Sequence, residues 1–381
     1  MKKFRVLATA LAAAALLVGC GGNEAGNQSP RVAFTEMVNF GDSLSDVGSY
    51  NVGAVALQSG GHFSINGQGA TGLLYINWTE FLAAQLDITQ PCAAETGLNT
   101  IQAVVGVAPV AATFHDTGTT PCLNYAQGGA RVTNATGPGN AALFNAADST
   151  TYSNALGLLT VPVHTQIQNY LAHVSTTFPA NSLVTVLAGA NDLFINVAVM
   201  QAQIAAGVAQ STAVATAATA MVTAADALAS DVNTLILANG ATHVVVVNVP
   251  DVSLTPRGIA SGTSGQAVLK QLVQAFNAEL AAKLQTGSSL LLVDAFSTSV
   301  DQAANPAQYG LTNVTTQVCT SSSSLLCTKS TLIAAVTPAV ATDPASAANT
   351  YEYADDVHPT PYGYRLLAEL VGEQMAIKGW L

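Results

Sequence analysis

Short apolar runs alternate along this chain with longer stretches whose apolar residues recur at helical spacing. The apolar runs predict buried strands at 36–42, 182–188, 242–249 and 290–294. Helical spacing predicts helices at 76–87, 163–171, 195–238, 265–284 and after residue 360. Because strands alternate with helices, we expect an α/β fold in which helices cover both faces of a parallel sheet.

Three details refine this pattern. Residues 123–130 predict a short strand that ends in Gly128 and Gly129, where the missing side chains allow close approach of another group. The Ala-rich stretch 195–238 predicts one long helix, or two with a break near Gly207. Thr360 followed by Pro361 is a favourable helix start, a capping residue and then proline at the first helical position.

The N-terminus has the pattern of an export signal. Basic residues at 2–5 precede an apolar stretch at 7–18 that is too short to span a bilayer comfortably. Residues 17–20 resemble the bacterial lipobox, in which the cysteine, here Cys20, becomes lipidated. The alternative is a plain signal peptide that happens to end in cysteine. We therefore expect a signal peptide at 1–19 and a flexible tether at 20–35.

The remaining chain, 36–381, contains no Pro/Gly-rich linker, which predicts a single domain. We expect an outer-membrane or cell-surface lipoprotein that contacts the membrane only through the lipid on Cys20. A periplasmic or secreted protein is the alternative.

Charge argues against some partners. Charged residues make up only 9% of the chain, and the formal net charge is −11. Loss of the three basic residues of the signal would make the mature chain more acidic still. An acidic chain without a basic run is a poor partner for nucleic acid or for an anionic membrane surface.

Apart from Cys20, the chain has four cysteines: Cys92, Cys122, Cys319 and Cys327. An even count in an exported chain predicts two disulfides, although four cysteines allow three pairings. We favour the pairs closest in sequence, each of which brackets an insertion rich in small polar residues, at 91–122 and 319–327. No Cys-x-x-Cys occurs, so neither a zinc site nor a redox site is expected, and we predict no metal-binding residues.

Candidate chemistry lies at both ends of the expected domain. Ser43 follows an apolar run and a glycine, as expected where a buried strand ends at a sheet edge. The same tripeptide is also an ordinary turn, but Asp355 and His358 near the C-terminus supply what a serine nucleophile needs. His358 can act as base, with Asp355 as its orienting carboxylate and Asp356 as the alternative. Activity is therefore expected to fall in acid, where the imidazole is protonated.

An oxyanion that develops during ester cleavage requires fixed hydrogen-bond donors. The sequence offers three at predicted strand ends: the backbone N–H groups of Ser43 and Gly129 and the side-chain amide of Asn191.

These residues lie in four short blocks that resemble, in order, the blocks of the GDSL esterase/lipase family of SGNH hydrolases. The blocks are residues 40–46, 124–130, 189–192 and 355–359. The resemblance implies a flavodoxin-like three-layer α/β/α sandwich and hydrolysis of carboxylic esters without a metal or cofactor. It also implies Ser43 as nucleophile and Asn191 and Gly129 as oxyanion donors, with Gly128 the donor in a second possible register.

Three functions are compatible with these residues. The first is an esterase or lipase that cleaves small-molecule or lipid esters through an acyl-enzyme. The second is a carbohydrate O-acetylesterase of the same fold. The third is a non-enzymatic surface-binding lipoprotein, against which the intact set Ser43, Asp355 and His358 argues.

Overall fold

A computed structural model of the protein describes residues 32–67, 74–99, 108–321, 323–333 and 350–381. The predicted signal peptide, the lipidation site at Cys20 and most of the tether lie outside these residues. These features and the assignment of 36–381 to one domain stay predictions.

The protein has a central parallel sheet, as the apolar runs predict. The strands are β1 (Glu36–Gly41), β2 (Glu95–Leu98), β3 (Val110–Phe114), β4 (Ser182–Leu187), β5 (Val244–Val247), β6 (Leu290–Val293), β7 (Asn313–Gln317) and β8 (Tyr351–Tyr353). The central sheet has the order β1-β4-β5-β6, and all its neighbouring strands are parallel. Phe40, Val186 and Val246 lie side by side across its first three strands.

Helices cover both faces of this sheet. They are α1 (Gly53–Leu57), α2 (Trp78–Gln85), α3 (Val163–His173), α4 (Ala190–Ala205), α5 (Gln210–Asp231), α6 (Pro256–Ala260), α7 (Gly262–Lys283), α8 (Ala295–Ala304) and α9 (Pro361–Lys378). Val184 and Val246 belong to the core shared with α3, α5 and α7, whereas Leu183 and Val245 belong to the core shared with α2 and α9. Because successive strand residues point to opposite faces, uniformly apolar strands place one core on each side. The α/β fold with a helix-covered parallel sheet, consistent with an SGNH hydrolase, is therefore confirmed.

The predicted short strand at 123–130 is wrong as a strand. This segment contacts β1 through a single bridge, between Asn39 and Asn124. The Asn39 N–H donates to Leu123 O at 3.0 Å, and the Tyr125 N–H donates to Asn39 O at 2.8 Å. The Gln127 N–H donates to Gly41 O at 3.2 Å, and the backbone then turns away at Gly129, where φ is +83°, so the ladder is too short to count as a strand. The segment nevertheless lies at the expected sheet edge.

The Ala-rich stretch forms two helices, α4 and α5, and the chain between them turns at Gly207 with φ +91°. A π-helical segment, Val232–Leu237, extends α5. Among the described residues, Gln210–Leu237 is long and apolar enough to cross a membrane by length and composition alone. Its inward face, including Ala217, Met221 and Leu228, packs into the core beside α3 and α7, which is typical of a core helix.

Both predicted disulfides are present, with Cys92 bonded to Cys122 and Cys319 bonded to Cys327. The first insertion contains the antiparallel hairpin β2–β3. The second insertion follows β7, and β7 pairs with β8, which ends two residues before Asp355. Two disulfides favour an exported protein.

Candidate active site

Ser43 lies two residues beyond Gly41, the last residue of β1. The backbone at Gly41 approaches the neighbouring strand β4 closely. A Cβ atom at Gly41 would lie only 2.4 Å from the carbonyl oxygen of Leu187 in β4. Gln166 of α3 fixes this glycine from the other side: its Oε1 accepts from Gly41 N–H and its Nε2 donates to Gly41 O, both at 2.9 Å. These contacts support the turn that places Ser43 at the carboxyl edge of the sheet.

The structure brings Ser43, His358 and Asp355 together in hydrogen-bonding order. Nε2 of His358 lies 2.8 Å from Oγ of Ser43. Nδ1 of the same ring lies 2.7 Å from Oδ2 and 2.9 Å from Oδ1 of Asp355. With Nδ1 protonated and donating to the carboxylate, Nε2 is free to accept the serine proton.

Asp355 is fully buried, and backbone N–H groups that donate to its carboxylate stabilise the negative charge. Its Oδ1 accepts from the backbone N–H groups of Val357 at 2.9 Å and His358 at 2.7 Å, and its Oδ2 accepts from that of Ser324 at 2.6 Å. Burial by itself raises the pKa of Asp355, but attraction to His358 and hydrogen bonds from His358 and Ser324 outweigh it and leave the pKa well below its ordinary value. The carboxylate is therefore ionised throughout the neutral range.

Asp356, the alternative orienter, points elsewhere. Its carboxylate forms a bidentate salt bridge with Arg257, in which Nε lies 2.9 Å from Oδ2 and Nη2 lies 3.0 Å from Oδ1. The geometry therefore favours Asp355 as the partner of His358.

The start of α9 fixes the position of His358. Thr360 caps this helix, with Oγ1 accepting from Gly363 N–H at 3.2 Å, as Thr-Pro predicts. The Ala354 N–H donates to His358 O at 2.8 Å, and the Thr360 N–H donates to Glu352 O at 2.8 Å. These bonds fold residues 352–360 back on themselves. The Asp355 carboxylate and the His358 imidazole therefore face each other beside Ser43.

The predicted oxyanion donors line the same cleft as Ser43 and His358. Nδ2 of Asn191 donates to Ala130 O at 2.9 Å, which leaves its second hydrogen for another acceptor. The Gly128 N–H donates to Asp46 Oδ2 at 2.9 Å, whereas Gly129 borders the cleft. The contacts therefore favour Gly129 over Gly128 as a donor.

Comparison with known proteins agrees with this geometry. A sequence profile described as GDSL-like lipase/acylhydrolase matches residues 37–371, nearly the whole described chain. The chain belongs to the GDSL-like lipase/acylhydrolase family. Such membership makes it a hydrolase of ester substrates. In a comparison with curated proteins, no significant match to the chain is found.

Two cavities flank Ser43 and His358 in this acylhydrolase. The larger, about 970 Å³, is an open trough. The apolar walls of the trough include Leu143, Leu156, Leu158, Phe194, Ile195 and Val199. The smaller, about 90 Å³, is a narrow cavity that extends toward α9 and α8. The walls of the narrow cavity include Leu44, Val249, Glu352, Leu366, Leu367 and Leu370.

Two buried carboxyl groups near the site have raised pKa values. Burial raises the pKa of Asp42 to about 7, although a hydrogen bond from Leu44 N–H and attraction to His358 oppose it. Burial raises the pKa of Glu352 to about 7, and its Oε2 has no hydrogen-bond partner within the described part of the chain. Asp42 Oδ1 accepts from Leu44 N–H at 3.0 Å, so this side chain holds the turn at Ser43.

Sequence reasoning missed two contributors to the site. Arg257, which borders the trough, is an isolated basic residue at the start of a short helix. Ser324, which donates to Asp355, lies among polar residues between two cysteines. The only sequence signal for Ser324 as a site residue is its position inside a disulfide-closed insertion. Nothing in the sequence connects that insertion with Asp355.

Among the residues that the structure describes, no group of three or more His, Cys, Asp or Glu side chains is placed to hold a metal ion.

Proposed function

We propose that this acylhydrolase is a serine esterase or lipase that cleaves carboxylic esters through an acyl-enzyme. The continuous chain from Ser43 Oγ through the His358 ring to the buried Asp355 carboxylate carries this proposal, with steps of 2.8 Å and 2.7 Å. A nucleophile, a base and an orienter in hydrogen-bonding order are the requirements of this chemistry.

In the first half-reaction, His358 Nε2 takes the proton of Ser43 Oγ as that oxygen bonds to the ester carbonyl carbon. The carbonyl oxygen becomes an oxyanion, which accepts hydrogen bonds from the N–H groups of Ser43 and Gly129 and from the amide of Asn191. As the tetrahedral intermediate collapses, His358 returns the proton to the departing alcohol.

In the second half-reaction, His358 takes a proton from water, whose oxygen attacks the acyl group on Ser43. The carboxylic acid leaves, and the proton returns to Ser43. Asp355 stays ionised and stabilises the imidazolium formed in each half-reaction.

The trough supports a substrate with a large apolar group beside the scissile bond. Thr151, Asn154 and Ser323 add polar side chains to its wall, but Arg257 and Asp356 neutralise each other there, and residues such as Leu156, Phe194 and Val199 make most of the wall apolar. An acyl ester of lipid type therefore fits better than an acetylated glycan. A carbohydrate O-acetylesterase remains the alternative, since the narrow cavity of about 90 Å³ could hold a short acyl group.

Ser43→Ala tests the reaction. It should abolish hydrolysis of p-nitrophenyl esters and labelling by a fluorophosphonate probe, whereas Ser230→Ala, an exposed serine on α5, should retain both. Unchanged hydrolysis by Ser43→Ala would refute the proposed function. A chain-length series of p-nitrophenyl esters compared with acetylated glycans tests the substrate class, with higher kcat/KM expected for longer acyl esters.

We further propose that the protein is tethered to the outer membrane or cell surface by lipid on Cys20. The sequence around Cys20 supports this proposal, and the two disulfides are compatible with it. Metabolic labelling with a radioactive fatty acid should mark the wild type and not Cys20→Ala. Equal labelling of both proteins would contradict the anchor.

A further inference from the structure

The loop closed by the Cys319–Cys327 disulfide touches the proposed catalytic carboxylate directly. The Ser324 N–H donates to Asp355 Oδ2 at 2.6 Å, on the oxygen that also lies 2.7 Å from His358 Nδ1. Ser324 is fully buried. A charge-assisted hydrogen bond in a buried site is strong and directional, so it constrains where the carboxylate can point.

Several contacts fix the backbone of this loop. Nδ2 of Asn66 lies 3.1 Å from Ser324 O and 3.0 Å from Cys327 O. The Cys319 N–H donates to Ala354 O at 2.8 Å, one residue before Asp355. Both sulfur-bearing residues of the loop are fully buried. The disulfide therefore joins two ends of a short loop that are both held beside the carboxylate.

We propose that this disulfide-closed loop is a positioning element of the catalytic site and that the backbone N–H of Ser324 is its acting group. This inference rests on the proposed function, because it assigns the loop a role in orienting Asp355 and, through it, His358. The disulfide holds the N–H in place, the N–H holds Asp355 Oδ2, and the carboxylate sets the imidazole for transfer of the Ser43 proton.

The N–H group, and not the hydroxyl, makes this contact. Ser324 Oγ is buried and has no hydrogen-bond partner among the described residues. Removal of the hydroxyl alone should therefore leave Asp355 in place. Removal of the N–H should let the carboxylate turn, and small errors in the alignment of reacting groups reduce rates strongly.

Proline and alanine at residue 324 separate these two groups. Ser324 is the first residue of a short 3₁₀ turn, and Ser323 before it is extended, with φ −129° and ψ 128°. Proline suits the first residue of such a turn, and its ring would replace the hydrogen that points at Asp355 and would also displace Oδ2, which lies 2.6 Å from the nitrogen. Ser324→Pro should lower kcat about 10- to 100-fold with little change in KM. Ser324→Ala should keep kcat within about twofold of wild type.

A second pair of variants tests the disulfide without a change at residue 324. Cys319→Ala/Cys327→Ala should lower kcat roughly tenfold. Cys92→Ala/Cys122→Ala removes the other disulfide, which makes no contact with Asp355 among the described residues, and should keep kcat within about threefold of wild type. Both should be assayed well below their melting temperatures. The labelling rate of Ser43 by a small fluorophosphonate should fall in parallel with kcat, since it also requires His358.

The outcomes separate the two proposals. Wild-type kcat in folded Ser324→Pro, equal losses in Ser324→Pro and Ser324→Ala, or equal losses on removal of either disulfide would overturn the positioning role. Retained activity in Ser43→Ala would instead overturn the proposed function itself.

Discussion

Asp355 and Asp356 are adjacent and chemically identical, yet their surroundings give them different roles. Asp355 is buried and receives three backbone N–H groups, whereas Asp356 is partly exposed and pairs with Arg257. The difference arises from the fold of the turn, in which Val357 N–H and His358 N–H both point back at residue 355. At the scale of residues, three backbone N–H donors thus distinguish the carboxylate that faces His358 from its neighbour.

Asn191→Ala should lower kcat by about 100- to 1000-fold, since loss of one oxyanion donor costs about 3 to 4 kcal/mol in the transition state. KM should change little, because the ground-state carbonyl gains less from this donor than the oxyanion does. Steady-state kinetics with a p-nitrophenyl ester measure both constants. Asn196→Ala, on the same helix α4, is the matched control and should resemble wild type. An unchanged kcat in Asn191→Ala would remove this amide from the site.

Glu352→Gln should weaken the pH dependence of stability. Burial raises the pKa of Glu352 from its usual 4.5 to about 7, so the folded state keeps a proton that the unfolded chain loses. This stabilising contribution is complete below about pH 4.5 and is lost as the pH rises through about 7. Wild type should therefore lose roughly 2 to 3 kcal/mol more stability between pH 5 and pH 8 than Glu352→Gln does.

Urea unfolding at pH 5 and at pH 8 checks this prediction. Glu369→Gln, an exposed glutamate on α9, serves as control and should show the pH dependence of wild type. An identical loss of stability in wild type and Glu352→Gln would show that the buried carboxyl does not contribute.

At the scale of elements, Arg257 connects three parts of the site. From α6 it pairs with Asp356 in the turn that carries His358, and its backbone N–H donates to Asp356 O at 2.9 Å. Its guanidinium also lies 4.8 Å from the ring centre of Phe194, one turn beyond Asn191 on α4. The planar guanidinium can bind a carboxylate through two N–H groups while it stacks on an aromatic ring, and a lysine ammonium cannot do both. Arg257 thus holds the base-bearing turn beside the helix that carries Asn191.

Arg257→Lys should lower kcat by about 3- to 10-fold, because lysine keeps the positive charge but loses the bidentate bond to Asp356 and the stacking on Phe194. Arg365→Lys is a close control: Arg365 pairs with Glu369 at 2.8 Å, lies 5.8 Å from the Tyr362 ring centre and is equally exposed. It should keep wild-type kcat. Equal kinetic effects of the two substitutions would indicate that Arg257 is an ordinary surface residue.

At the scale of the whole molecule, we expect stability and activity to depend on different disulfides. The Cys92–Cys122 bond spans a sequence separation of 30, and the Cys319–Cys327 bond spans 8. A longer closed loop removes more conformational freedom from the unfolded chain. The longer loop should therefore contribute more to stability, whereas the shorter one contacts the site.

Removal of the first disulfide should lower the free energy of unfolding by about 3.5 kcal/mol, and removal of the second by about 2.5 kcal/mol. Denaturant unfolding of Cys92→Ala/Cys122→Ala and Cys319→Ala/Cys327→Ala measures both values. The order of the stability losses should be opposite to the order of the losses in kcat. A variant lacking the second disulfide that is both the less stable and the more active would contradict this separation.

The sequence by itself determined the strand and helix pattern, the parallel sheet, the local cysteine pairs and the residues that meet at the sheet edge. These features depend on short-range signals: apolar periodicity, a Thr-Pro helix start, and cysteines near in sequence. Such signals act within one element or one loop, so a linear reading detects them.

Only the tertiary structure decided which carboxylate faces His358, that the N–H of Gly128 is occupied by Asp46, and that residues 123–130 make two isolated bridges at Asn124 instead of a strand. It also brought Ser324 to Asp355 and Arg257 to Phe194. These contacts join segments that are distant in sequence, and their partners are set by packing around two cores. A local sequence pattern therefore cannot show which of two neighbouring residues, such as Asp355 and Asp356, faces the site.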